Sequence, residues 1–278
     1  MLKVFGTRFS LIGDTVMSLP ILEYLSSKYG KYHLYFSIAK KCQQGAPLFL
    51  NQKRISEIKI SDLDEDLGPD DQRIMDGCDI VFDVKPPHPR ESDWYNYRNC
   101  VEETAMMAGI DPKNVYGINP DLKAYWPLNR VKNTVAIWPF AGYGRGLERS
   151  PSQEWWNSLL KPLVDKYKII HFGTENEPNL IISENYVRKT NLTFFDQIKE
   201  TLSCEACIGT DSGSMWCIGA YGVIPQLNLI TNWLSGHHTN PLALAPTGKL
   251  AENIFAPGGC SNIDTKTVER FIYETVCV

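Results

Sequence analysis

The stretch Cys204–Ile230, CEACIGTDSGSMWCIGAYGVIPQLNLI, constrains the fold more than any other part of the chain. A short apolar run, Ala206 to Gly209, leads into the polar turn Thr210-Asp211-Ser212-Gly213-Ser214. A helical stretch, Met215 to Tyr221, follows, and beyond Gly222 and Pro225 comes a second apolar run, Gln226 to Ile230. The order strand, turn, helix, turn, strand predicts one βαβ unit. The turn carries the residue types a helix start wants, and Asp, Ser and Gly either satisfy its amides or leave them open to a ligand. Open amides and the positive end of the helix dipole make such a turn an anion site. The same residues also suit an ordinary capped helix, so the turn alone assigns no ligand.

The rest of the chain repeats the alternation. Strands are predicted at Leu2 to Phe5, His33 to Ile38, Ile55 to Ile60 and Asp79 to Val84, the last two separated by an acidic loop. Helices are predicted at Asp14 to Tyr29, with Pro20 bending it, and at Trp94 to Ala108. Residues 117–133, GINPDLKAYWPLNRVKN, have two prolines and no period and read as a linker. Beyond it come strand Thr134 to Pro139, helix Ser152 to Tyr167, strand Lys168 to Phe172 and a helix near Pro178 to Tyr186. A strand, a helix and the unit described first follow. Glu252 to Ala256 closes as a strand and Asp264 to Cys277 as a helix capped by Asp264. Strands alternating with helices imply parallel pairing and an α/β fold. The expected organisation is 1–125, 126–262 and a C-terminal helix at 263–278 packing back on the first half, with a ligand cleft between the halves.

Composition excludes several classes. At 278 residues, 43% hydrophobic and 22% charged, the chain has ample core for one large or two modest domains. Its net charge of −4 gives no global pull toward nucleic acid or a membrane surface. The charge is unevenly spread, however: residues 1–60 hold nine Lys and Arg against three acids, and residues 61–83 one Arg against nine acids. The start, MLKVFGTRFSLIGD, lacks the apolar core of a signal peptide, and no run reaches the length of a membrane span. The eight cysteines are scattered, which fits reduced thiols in a cytoplasmic protein. Cys204-x-x-Cys207 has zinc or redox spacing, but no second pair or His cluster completes a site, and both read as packing residues.

Three further stretches sit, like the first, just after a strand, at the edge where open α/β sheets hold ligands. They are Ser10-Leu11-Ile12-Gly13-Asp14-Thr15, Trp138-Pro139-Phe140-Ala141 with the following GYGRGLER, and Phe172-Gly173-Thr174-Glu175-Asn176-Glu177. Taken in order with Asp211-Ser212-Gly213, the chain resembles glycosyltransferase family 9, the heptosyltransferases. The resemblance rests on Gly13-Asp14 followed by Leu19-Pro20, and on the strand end Trp138 to Ala141 with Arg149 and Trp155 or Trp156. Gly173 with Glu177, and Asp211-Ser212-Gly213 with Trp216 where the family has histidine, complete it. Arg149 stands where the family usually has lysine. The matching order covers about residues 10–230.

The resemblance implies a GT-B architecture, two Rossmann-like domains facing across a cleft, with the acceptor on the first and the donor on the second. It implies inverting, metal-independent transfer from a nucleotide-diphosphate sugar, with no cofactor. Displacing a nucleoside diphosphate from an anomeric carbon needs a base for the acceptor hydroxyl and charge stabilisation for the leaving group. Asp14 is the candidate base. Ser10, Gly13 and Thr15 form its acceptor or phosphate loop. Trp138, Pro139, Ala141, Arg149, Glu177, Asp211, Ser212, Gly213, Ser214 and Trp216 are the candidate donor contacts. Among these, Arg149 and the amides of Ser212 to Ser214 would meet the diphosphate and Glu177 a ribose diol. The acceptor the family implies is a glycan such as lipopolysaccharide core, which would place a cytoplasmic enzyme at the membrane periphery.

Other readings of the same residues compete. A hydroxymethylated base in viral DNA would also suit the basic first 60 residues as an acceptor, although the overall acidity opposes tight non-specific DNA binding. A sugar-nucleotide epimerase shares the architecture, and a non-catalytic nucleotide-sugar-binding protein shares the site. Thr210-Asp211-Ser212-Gly213 also matches the nucleophile motif of trypsin-like proteases, but those are all-β. Gly142-x-Gly144-x-Gly146 lacks a third glycine, Leu147 standing in its place, and an immediate helix, which argues against a dinucleotide fingerprint.

Overall fold

Every strand pairing among the described residues is parallel, as the alternation of strands and helices requires. A computed structural model of the chain describes residues 1–6, 12–61, 68–82, 100–141, 149–231 and 246–276. It divides into two units, Met1–Tyr125 and Trp126–Val278.

In the first unit, β1 (Leu2–Gly6), β2 (Tyr32–Ile38), β3 (Glu57–Ile60) and β4 (Ile80–Phe82) form a sheet in the order β3-β2-β1-β4. Val4, Phe5, Ile21, Leu22, Leu34, Phe36 and Phe49 are buried in it. The long helix expected from Asp14 is two helices, α1 (Ile12–Met17) and α2 (Leu19–Tyr29), with Ser18 between them. Proline lacks the N–H that a helix interior uses but not the one its first turn leaves unpaired. Pro20 therefore opens α2 rather than bending one continuous helix. The break is held by Ser18, whose Oγ donates to the Thr15 carbonyl at 2.7 Å.

The acidic loop holds a helix, α3 (Pro69–Asp76), that the periodicity did not predict. Pro69 opens it and Asp70 and Asp71 occupy its first turn, where the helix dipole favours negative charge. Asp71 is buried and accepts from Ser37 Oγ at 3.0 Å, Ser61 Oγ at 2.7 Å and the Gly68 amide at 3.2 Å. One carboxylate thus ties α3 to β2 and to the residue following β3. A short 3-10 segment, Lys40–Phe49, follows β2, and α4 (Cys100–Met107) follows β4.

The second unit has a sheet of β5 (Thr134–Trp138), β6 (Lys168–His171), β7 (Tyr186–Arg188), β8 (Ala206–Thr210), β9 (Gln226–Thr231) and β10 (Ala251–Ala256). Its order is β10-β9-β8-β5-β6-β7. Read from β7, that is third, second, first, fourth, fifth, sixth, the doubly wound order. The direction of winding reverses between β5 and β8, the switch point at whose strand carboxyl ends doubly wound sheets hold ligands. Helices α5 (Gln153–Leu163), α6 (Phe194–Thr201), α7 (Gly213–Tyr221) and α8 (Thr265–Val276) cover the sheet.

One expectation fails here. No helix forms near Pro178 to Tyr186, where irregular chain runs into β7. Leu180 is the one buried side chain of the segment, and Ile182 is 99% exposed. The closing helix α8 packs within the second unit. Its Val268, Phe271, Ile272 and Val276 lie in one buried cluster with Trp156, Leu159, Leu160 and Leu163 of α5. Each such side chain removed from water contributes about 1.5–3 kcal/mol, which is what holds the last helix to this core.

Candidate functional site

The switch point between β5 and β8 is where a doubly wound sheet presents ligands, and six of the sequence candidates stand near it. In register, Trp138 ends β5 opposite Gly209 of β8. Beyond β8, Asp211 lies ahead of α7, with only 8% of its surface exposed. Arg149, from the segment after β5, brings Nη1 to 3.4 Å from Asp211 Oδ2. Ser212 caps α7 by accepting from the Met215 amide at 3.5 Å, and Gly213 and Ser214 supply first-turn amides that no intrahelical carbonyl can reach. A guanidinium beside a helix N-terminus is a cationic cradle of the size of a phosphate.

α7 is buried on every side, from Ser214 to Tyr221, so it has no solvated face and its start is rigidly aimed. Two close approaches require glycine. A Cβ on Gly209 would lie 2.5 Å from Met215 Sδ, and one on Gly248 would lie 2.2 Å from the Gly219 carbonyl. Trp216 is itself buried, and its side chain hydrogen-bonds Asp211.

Burial pushes the Asp211 carboxyl up to about 6, and Arg149 and then Trp216 pull it back only in part. A raised folded-state value means that the folded protein holds this proton more tightly than the unfolded chain. The resulting stabilisation is complete below the ordinary value of 3.8 and is lost as pH rises through about 6. Relative to an Asp211→Asn variant, the wild type should therefore lose stability between pH 4 and 7, by on the order of 3 kcal/mol. Chemical denaturation of both proteins across that range checks this, and parallel profiles would contradict it.

The remaining candidates divide. Trp138 serves the core: its Nε1 donates to Thr201 Oγ1 at 3.1 Å and its ring stacks on Phe172 at 5.6 Å. Trp155 and Trp156 pack edge to face in α5, with Trp155 Nε1 donating to the Ile263 carbonyl at 2.7 Å. Pro139 and Ala141 are buried in the chain leaving β5, and the Ala141 amide donates to Ser150 Oγ at 2.9 Å. The glycine-rich segment 142–148 lies outside the described residues. Cys204 and Cys207 are buried and free, and burial raises both thiols. In the first unit, Gly13, Asp14 and Thr15 are not on a loop: the helix begins at Ile12, and Thr15 is fully buried. Ser10 lies outside the described residues. Among the described residues, no group of three or more His, Cys, Asp or Glu is placed to hold a metal ion.

Glu177 belongs to a cluster that the sequence did not foretell. Its Oε1 accepts from the Thr174 amide at 2.9 Å and Thr174 Oγ1 at 3.3 Å, and its Oε2 lies 2.9 Å from Nε2 of the fully buried His171. His171 Nδ1 lies 2.6 Å from the Tyr186 hydroxyl, which also accepts from the Leu180 amide at 3.2 Å. Gly173 is required beneath this carboxylate: its φ is +153°, and a Cβ there would come within 2.2 Å of Glu177 Oε2. Gln197 grips the same glycine, accepting from its amide at 2.9 Å and donating to its carbonyl at 3.0 Å. Two sites two residues apart on a β-strand share a face, yet His171 was hidden in the sequence because a single His in KIIHF reads as ordinary strand.

No family model and no curated protein matches the chain. Solved structures do. ADP-heptose lipopolysaccharide heptosyltransferase II of E. coli superposes with a TM-score of 0.72 at 14% identity, covering 100% of this chain and 99% of that one. A glycosyl transferase family 9 protein from Veillonella parvula gives 0.70 at 14% identity, covering 99% and 97%. The E. coli heptosyltransferase WaaC, solved with ADP, gives 0.65 at 11% identity, covering 99% and 100%. The chain thus has the GT-B-like α/β fold of these proteins over its whole length.

Proposed function

We propose that the chain is a glycosyltransferase of the heptosyltransferase type, moving a sugar from a nucleotide-diphosphate donor to a hydroxyl of a glycan acceptor with inversion. The observation that carries this reading is the cradle at the β5–β8 switch point. Arg149, Asp211 and the α7 start stand there, and the fixed carboxylate of Glu177 follows the neighbouring strand β6, on a fold shared with heptosyltransferase II. In this reading residues 1–125 serve the acceptor and 126–262 the donor. Asp14 takes the proton of the acceptor hydroxyl as its oxygen bonds to the anomeric carbon. The bond from that carbon to the diphosphate breaks, and the electron pair leaves on the diphosphate. Its charge is met by Arg149 and the first-turn amides of α7, without a metal ion.

A thermal-shift screen of ADP-, UDP- and GDP-sugars tests the proposal, because a ligand that binds only the native state must raise the melting temperature. At least one donor should do so, and should then be hydrolysed slowly with release of the nucleoside diphosphate. Binding without release would mark a carrier protein. Interconversion of two sugar nucleotides with no acceptor present would mark an epimerase. No shift with any donor would overturn the reading.

A further inference from the structure

The contacts of the His171 cluster fit one proton order. Tyr186 Oη accepts from the Leu180 amide at 3.2 Å, and its own proton fits the Nδ1 of His171, 2.6 Å away. Nδ1 then acts as acceptor, the imidazole proton sits on Nε2, and it is donated to Glu177 Oε2 at 2.9 Å. Burial raises the Tyr186 phenol above its ordinary value of 10.0, which keeps that proton in place near neutrality. The carboxylate has about four lone-pair sites. Among the described residues, Thr174 fills two on Oε1 and His171 one on Oε2, which leaves one on Oε2. The Glu177 side chain is 12% exposed, at the carboxyl edge of the sheet.

We infer that His171 and Tyr186 are positioning residues that fix the single open lone pair of Glu177 for a ribose hydroxyl, so that the pair sets discrimination between ribo- and deoxyribonucleotides. The inference rests on the reading of this edge as a nucleotide-diphosphate site. A carboxylate that could rotate would accept from a hydroxyl or from water with equal ease. Held at both oxygens, it favours a ligand that presents a hydroxyl at one place, and a ligand lacking that hydroxyl leaves a desolvated lone pair unmatched.

The test compares binding of ADP and UDP with their 2′-deoxy forms by calorimetry, in the wild type, Tyr186→Phe, His171→Gln and His171→Leu. The wild type should prefer the ribonucleotide by about 10-fold or more. Tyr186→Phe, which removes the phenol proton that fixes the tautomer, should lose most of that preference while its affinity for the deoxy form stays within about 2-fold. His171→Gln keeps an amide donor near the Nε2 position and should keep part of the preference; His171→Leu should abolish it. If one variant fails to fold, the other two still decide. Equal weakening of both nucleotide forms would show a merely structural role and overturn the inference, as would a wild type that binds both alike. A wild type that binds neither nucleotide would instead overturn the nucleotide reading on which the inference rests.

Discussion

Asp14→Asn is expected to reduce turnover by about 10² or more while leaving donor affinity within a few-fold. Asparagine matches aspartate in shape but cannot take a proton from the acceptor hydroxyl. The donor contacts are assigned to the second unit, at Arg149, Glu177 and the start of α7, so nucleotide binding has no reason to follow turnover down. Asp14 is the third residue of α1. Single-turnover kinetics with saturating donor separates the two effects. Near-normal turnover would remove Asp14 from the mechanism, and a parallel loss of donor affinity would move it to donor binding.

The alternation of strands and helices was legible because both sheets are parallel and built on short apolar runs, such as TVAIW and ACIGT, broken by polar turns. The elements the reading lost lack that contrast. α3 is polar along most of its length, with Asp71 as its buried anchor, so no apolar period announces it. The signal that could have found it is Gly68-Pro69-Asp70-Asp71, a helix start in residue chemistry rather than in hydrophobicity. The failed helix at Pro178 shows the opposite error: of its apolar residues Leu180 is buried and Ile181 packs on the core, while Ile182 is exposed, in irregular chain.

Site legibility followed the same division. Motifs that act through backbone geometry, the Asp-Ser-Gly turn and Gly173 beneath Glu177, stand where their residue types require them. Side-chain roles were not legible. Trp138 and Trp216 look like ligand contacts in a row of letters, yet the first is bonded to Thr201 and the second to Asp211. His171 and Tyr186 are fifteen residues apart and meet because β6 and β7 are neighbours in the sheet, a pairing that no local pattern encodes.

Arg149→Ala is expected to cost turnover about 10²–10³, more than removal of divalent metal costs. In the free protein the guanidinium lies 3.4 Å from Asp211, a carboxylate that burial already makes reluctant to ionise. A departing diphosphate competes for the same guanidinium. The substitution therefore acts twice, by deleting a donor for the leaving group and by removing the partner that favours the ionised form of Asp211, so that Asp211 holds its proton more strongly. Deleting one preorganised donor at a developing oxyanion costs about 2.7–4 kcal/mol, which sets the size of the expected loss. Arg149→Lys should recover part of it, since lysine keeps the charge but not the planar fork. The double variant Arg149→Ala with Asp211→Asn separates the two actions: it should restore stability but not turnover, because neutralising Asp211 replaces no donor. Turnover in EDTA should stay within about 2-fold of the untreated enzyme, since amides and a guanidinium stand where a cation would otherwise be needed. Activity lost in EDTA and regained with magnesium or manganese would transfer the leaving-group chemistry from Arg149 to a bound ion.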